Sequence, residues 1–271
     1  ELKAAINAWL ESFEDLDRND SDARVLIAAL EKAELTGEAK IAAENILKNK
    51  DQLGKKVVWL YGGDGWAYDI GYGGLDHVMA SNEDINVFVV DTEVYSNTGG
   101  QSSKATPIGA SAKFADGGKK TAKKDLGRLM MNYPNTYVAS VAMGANPGQL
   151  MKALTEAVAH EGPSLIIAYA PCINHGIKAG MGKAQAEMKK AVDCGLWPLY
   201  RYNPDKKEKP FSLDYKKPSR PVVDFLDGEV RYAGLKVKFP ETAEKLFAEA
   251  QVEADKRYDS YVRLEKSFNE Q

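Results

Sequence analysis

Two short stretches carry residue types whose spacing could do chemistry. The first is Gly62-Gly63-Asp64-Gly65-Trp66, and the second runs from Asp91-Thr92-Glu93-Val94-Tyr95 through Ser96-Asn97-Thr98-Gly99-Gly100. The first has the look of a phosphate-binding turn but is not G-x-G-x-x-G, because Tyr68 stands where the third glycine belongs. It also puts a carboxylate, Asp64, inside the turn. A bare carboxylate beside a diphosphate is repelled, and a divalent cation between the two reverses the sign. Mg²⁺ takes one or two carboxylates, neutral oxygens, water and phosphate oxygens in octahedral geometry, so the turn predicts a metal-bridged diphosphate. Thr92 offers a hydroxyl 28 positions after Asp64, enough for one crossover helix and a second strand. The Val94 carbonyl could complete the protein ligands, and the Asn97 carboxamide lies in a loop of small residues beyond.

Such residues need a sheet to bring them together. Apolar runs at Val57–Tyr61, Ile85–Val90, Thr136–Met143 and Ser164–Ala170 read as strands buried on both faces. Between and after them, helices are expected from Gly65 to about Ser81, near 119–132, at Pro147–His160 and near 177–191. Alternating strands and helices predict an α/β fold, a doubly wound, mostly parallel sheet with helices on both faces, whose ligands bind at the carboxyl ends of the strands. Residues 1–50 read as a helical lead-in, with a polar break and helix cap at Arg18–Asp22, and 51–200 as the binding domain. Residues 201–271 read as an irregular extended surface segment, broken by Pro204, Pro210, Pro218 and Pro221, and a charged amphipathic helix from Glu241 packed on the same domain.

Composition narrows the field. A formal net charge of −3 leaves no basic face for nucleic acid. No apolar run approaches the ~20 residues of a membrane span, and no signal peptide opens the chain. Two cysteines, Cys172 and Cys194, are too few for a disulfide scaffold and fit a reducing cytoplasm.

The strings Gly63-Asp64-Gly65-Trp66-Ala67-Tyr68-Asp69-Ile70-Gly71 and Thr92 through Gln101, continued by Ser102 to Pro107 and by Ala170-Pro171-Cys172, resemble pyruvate:ferredoxin (flavodoxin) oxidoreductase, in its C-terminal thiamine-diphosphate-binding domain. The resemblance implies the thiamine-diphosphate-binding fold and a fragment of a longer enzyme. It implies that Asp64, Thr92 and the Val94 carbonyl hold Mg²⁺. It further implies that Gly63, Gly65, Trp66 and the loop Thr92, Glu93, Val94, Tyr95, Ser96 and Asn97 line the cofactor, with Asn97 catalytic, and that Cys172 is one ligand of a [4Fe–4S] cluster. The wider thiamine family has Asn where this chain has Thr92, and a hydroxyl is likewise a neutral oxygen ligand. The implied reaction is oxidative decarboxylation of pyruvate to acetyl-CoA. Its implied partners are pyruvate, coenzyme A, ferredoxin or flavodoxin, the remaining domains of the parent polypeptide and a second copy in a homodimer. A [4Fe–4S] cluster needs four ligands, so the other cysteines are expected upstream and the isolated chain is expected to be inactive.

Plainer readings compete. Asp64 could cap the helix that follows, although this leaves Thr92, Asn97 and the glycine-rich loop unexplained. Asp91 reads as a strand-end cap, and Trp66 and Tyr68 as either packing or site residues. A lone cysteine after a buried strand is usually a small core residue, which is how Cys194 reads. His77 and His160 fall in expected helices and His175 in the loop after Cys172. The lysines at 119–124 and 206–217 read as solvated faces. Rival functions are another 2-oxoacid:ferredoxin oxidoreductase, a nicotinamide-dependent Rossmann enzyme that needs no metal, and a non-catalytic assembly domain.

Overall fold

The computed structural model describes residues 1–269 and divides the chain into two compact units, residues 1–58 and the remainder from Trp59. The first unit holds three helices, α1 (Leu2–Glu11), α2 (Leu16–Lys32) and α3 (Gly37–Lys48), around Ala5, Leu26, Leu30 and Ala43. The polar run Arg18–Asp22 does not break a helix. It lies inside α2, where Arg18 pairs with Asp22 and Asp20 with Arg24 one turn apart. The cap is Asp15, whose carboxylate accepts from the Asp17 and Arg18 N–H groups.

The second unit is built on a six-stranded sheet: β1 (Trp59–Gly63), β2 (Asn86–Asp91), β3 (Tyr137–Val141), β4 (Ser164–Tyr169), β5 (Tyr200–Tyr202) and β6 (Phe211–Leu213), in the order β1-β2-β4-β3-β5-β6. The first four strands of that order are parallel, and β5 runs antiparallel between β3 and β6, so the α/β, mostly parallel expectation holds. Helices α4 (Tyr72–Ala80), α5 (Leu126–Met130), α6 (Pro147–Ala159), α7 (Ala184–Asp193), α8 (Val223–Leu226), α9 (Val230–Lys238) and α10 (Pro240–Asn269) complete it. β2, β3 and β4 are dense in Val, Ile and Ala because both faces are covered: Val87, Val89, Val138, Leu165 and Ile167 enter one core, Ala139, Val141 and Ile166 the other.

Three further expectations need correction. The strand near Val57–Tyr61 is not buried on both faces. It begins at Trp59, ends the sheet, and leaves Tyr61 70% exposed. Residues 119–125 are irregular rather than helical, and only Leu126–Met130 coils, capped by Asp125. The segment after Trp197 is not a surface strap. Its two three-residue strands are too short to show a periodicity, yet Tyr200, Tyr202 and Phe211 are buried, Tyr200 and Phe211 stack with Tyr261 of α10, and Arg201 lies between Glu156 and Asp214 at 2.7 Å from each.

Leu165, fully buried on a central strand, tests where the core lies. Leu165→Ala should cost about 3 kcal/mol through lost transfer energy and the cavity left behind. Chemical denaturation should show a lower midpoint with an unchanged slope.

Candidate functional site

Three neighbouring parallel strands, β1, β2 and β4, release the residues singled out above. Asp64 follows β1, Thr92 follows β2 and Cys172 lies three residues beyond β4. Asp64 is not a helix cap, for its side chain bonds to no N–H of the π-helical turn Gly65–Ile70. Instead its Oδ1 accepts from Thr92 Oγ1 at 2.9 Å and its Oδ2 from Ser103 Oγ at 2.7 Å. Thr92 Oγ1 also lies 3.0 Å from the Val94 carbonyl. One carboxylate, one hydroxyl and one carbonyl therefore converge, the three oxygens on which the metal expectation rested.

Asp64 is 1% exposed and forms no ion pair among the described residues. Burial, reinforced by Asp91, raises its carboxyl to about 6 against the hydroxyl hydrogen bonds from Ser103 and Thr92. A hard divalent cation is the charge this set lacks, and its all-oxygen donors suit Mg²⁺. Among the described residues no group of three or more His, Cys, Asp and Glu side chains could hold a metal, as expected where a single carboxylate contributes.

An open cleft of about 490 Å³ lies over these oxygens. It is lined by Gly62, Gly63 and Gly65, by Tyr61, Trp66 and Ile70, and by Val94, Tyr95, Ser96 and Asn97. None of these glycines has a positive φ, so Gly62 and Gly65 are needed for space rather than conformation, while a Cβ on Gly63 would meet open space. A Cβ on Gly62 would collide with the Trp66 ring, and one on Gly65 with the Tyr95 ring. Trp66 thus lines the cleft, while Tyr68 turns into the core and donates to Asp91 at 2.7 Å. Asn97 is exposed at the lip.

Cys172 adjoins the same loop. Its Sγ lies 3.0 Å from Ser96 Oγ and accepts from the Asn174 N–H and carboxamide at 3.5 and 3.4 Å. Burial opposes ionisation, but these hydrogen bonds outweigh it and hold the thiol below its ordinary pKa. That favours the thiolate form which binds metals. In Cys194 burial prevails and pushes the thiol up to about 12. His77 is exposed, and His160 is buried against Asp205 and the Asn135 carbonyl.

Sequence reasoning missed what lies behind the loop. Glu93, between Thr92 and Val94, sits in the left-handed region at φ 59°. Its carboxylate accepts from Arg231 Nη2 at 2.7 Å and lies 3.7 Å from Lys123 Nζ, which also pairs with Asp91 at 2.7 Å. Arg231 Nε reaches Glu229 at 2.6 Å, and His175 Nε2 lies 2.7 Å from the Thr92 carbonyl. All of these side chains are buried. Burial pushes Glu93 up, but Arg231 and Lys123 outweigh it and hold the carboxyl below its usual value. Of the lysines at 119–124, Lys120 is exposed, but Lys119, Lys123 and Lys124 are not a solvated face. Lys119 donates to the Ser103 carbonyl and Lys124 to that of Tyr68, and Lys123 neutralises strand-end acids. The available signal was two acids, Asp91 and Glu93, at the end of a buried strand, which require cations from elsewhere.

Lys123→Met tests this network. Removing one partner leaves Asp91 and Glu93 buried with less compensating charge, which should cost about 3–5 kcal/mol. A thermal melt of the variant should fall well below that of the native chain, and equal melts would show the pair to be dispensable.

Comparison with known proteins now has a site to attach to. Residues 39–168 match the thiamine pyrophosphate enzyme, C-terminal TPP binding domain. The pyruvate:ferredoxin oxidoreductase of Moorella thermoacetica is 57% identical over 97% of this chain and 23% of its own length. The pyruvate-flavodoxin oxidoreductase of Klebsiella pneumoniae is 50% identical over 97% of this chain and 22% of its own. A solved 2-oxoglutarate:ferredoxin oxidoreductase from Magnetococcus marinus overlaps 42% of this chain and 38% of that chain, with TM-score 0.39 and 26% identity. The chain spans less than a quarter of the length of the curated relatives it matches. By these matches the chain is similar, over 97% of its length, to one segment of the pyruvate:ferredoxin and pyruvate-flavodoxin oxidoreductases, and residues 39–168 within it match a thiamine-pyrophosphate-binding domain.

Proposed function

We propose that this chain binds thiamine diphosphate through Mg²⁺ in a cytoplasmic, homodimeric enzyme that oxidatively decarboxylates pyruvate to acetyl-CoA and passes the electrons through [4Fe–4S] clusters to ferredoxin or flavodoxin. The supporting observation is the convergence of Asp64 Oδ1, Thr92 Oγ1 and the Val94 carbonyl, joined by contacts of 2.9 and 3.0 Å beneath a cleft. Asp64, Thr92 and Val94 hold the metal. Gly63, Gly65, Trp66, Thr92 and the loop from Val94 to Asn97 receive the cofactor, while Glu93, expected from the sequence to line it, turns its side chain away from the cleft.

Thiamine diphosphate, when bound, supplies the nucleophilic carbon and the electron sink for decarboxylation of a 2-oxo acid. The chain supplies position and environment. The glycines let backbone approach the diphosphate. Tyr61, Trp66, Ile70 and Val94 give the open cleft an apolar lining against which the cofactor would pack. Asn97 presents its carboxamide at the lip, next to where the substrate's carbonyl is handled. Cys172 gives one thiolate to the nearest [4Fe–4S] cluster, and Ser96 links that sulfur to the cofactor loop. The pyruvate assignment follows the names of the relatives, and coenzyme A, the electron carrier and the remaining cluster ligands meet the enzyme through its other domains.

Titration calorimetry with thiamine diphosphate, with and without Mg²⁺, is the direct test in the full-length protein. Native protein should bind only with Mg²⁺, and Asp64→Ala should abolish binding. Metal-independent binding of a nicotinamide dinucleotide, strengthened by Asp64→Ala, would replace this reading with the Rossmann alternative. Separately, Cys172→Ser in the full-length enzyme should lower iron content and the cluster's absorbance while leaving cofactor affinity within about 3-fold. Unchanged iron content would remove Cys172 from the cluster. The chain alone should show no pyruvate-dependent reduction of an electron acceptor.

A further inference from the structure

The backbone between two of the proposed metal ligands is strained, and the charges that hold it come from a distant part of the chain. Glu93 has φ 59°, a conformation that L-residues other than Gly, Asn and Asp rarely adopt. The reversal is what lets Thr92 Oγ1 face the Val94 carbonyl at 3.0 Å. Such a conformer persists only where its surroundings over-determine it, and here every handle is held. The Glu93 N–H donates to Asp91 Oδ1 at 3.0 Å, its carbonyl accepts from Thr106 Oγ1 at 2.6 Å, and the preceding carbonyl meets His175. The carboxylate, in a residue 5% exposed, is gripped by Arg231 at 2.7 Å. Arg231 opens α9, lies 138 positions later and falls outside the segment that matches the thiamine domain. Its own position is fixed by Glu229 through Nε and by the Ser111 N–H bonded to its carbonyl at 2.9 Å.

We propose that Arg231 is a positioning residue for the metal site: by anchoring the Glu93 carboxylate it stabilises the left-handed turn that aims Thr92 Oγ1 and the Val94 carbonyl at the same point as Asp64. The inference rests on the reading of Asp64, Thr92 and Val94 as Mg²⁺ ligands. It differs from a merely structural role in one respect. Arg231 should matter to the cofactor only while residue 93 needs help to remain left-handed.

Glycine adopts φ near 60° without penalty, whereas alanine does not. Glu93→Gly and Glu93→Ala delete the same carboxylate and differ in that freedom alone. In the full-length protein, calorimetry of thiamine diphosphate with saturating Mg²⁺ should find Glu93→Ala about 10-fold weaker than Glu93→Gly, the latter staying within about 3-fold of native. Arg231→Met should weaken binding about 10-fold when Glu93 is present and leave it unchanged when combined with Glu93→Gly. Melts without ligand establish that each variant is folded. Equal affinities for the glycine and alanine variants overturn the proposal. So does an Arg231→Met loss that is the same in both backgrounds, or no loss in either. If Arg231→Met does not fold with Glu93 present, the glycine–alanine comparison decides alone. If the single Glu93 variants do not fold, the same comparison is made with Arg231→Met added to each, which rebalances the buried charge. Native protein that binds no thiamine diphosphate at all defeats the functional reading rather than this one.

Discussion

Three carboxylates, Asp64, Asp91 and Glu93, are buried where two adjacent parallel strands end, and charge cannot be left uncompensated there. Lys123 meets Asp91 and approaches Glu93, and Arg231 meets Glu93 while also serving Glu229. Among the described residues Asp64 has no such cation, and its side-chain hydrogen bonds come from two hydroxyls. Its raised carboxyl is the consequence. The unit thus neutralises the acids behind the loop with its own side chains and leaves the acid facing the cleft to be neutralised by something that enters. A divalent cation carrying a diphosphate meets that need.

The loop after β2 achieves this division by alternation. Asp91 and Glu93 turn into the protein toward Lys123 and Arg231, while Thr92 and the Val94 carbonyl turn toward Asp64. Extended chain alternates in this way without strain, but bringing Thr92 and Val94 onto one point needs the reversal at Glu93. The buried ion pairs are therefore better understood as fixing a conformation than as a source of stability, since desolvation consumes much of what pairing returns.

How much of this was legible beforehand follows from where the information lies. Asp64, Thr92 and Val94 were readable because the chemistry of a carboxylate in a phosphate turn demands neutral oxygens nearby, and one strand–helix–strand unit is short enough to count across. The central strands were readable because burial on both faces makes them apolar throughout. Arg231 was not, because nothing local links it to a residue 138 positions away. Lys123 was misread because a cluster of lysines has no direction until a backbone aims it. Tyr61 was misread because an apolar run looks the same at a sheet's edge as in its middle, and β5 and β6 were missed because three residues show no period.

The C-terminal segment is where this has most effect on function. Read as sequence, residues after 200 are proline-broken and charged and suggest a covering. In the structure the same segment adds two strands, supplies Tyr261 to the core, and carries Arg231 to the back of the cofactor loop. His175 and the Cys172 loop are tied in as well, since the Gly176 carbonyl accepts from the Val230 N–H at 2.8 Å. The loop that carries Cys172 and the loop that carries Thr92 and Val94 thus share α9 as a common support. A displacement of α9 would therefore disturb both loops at once.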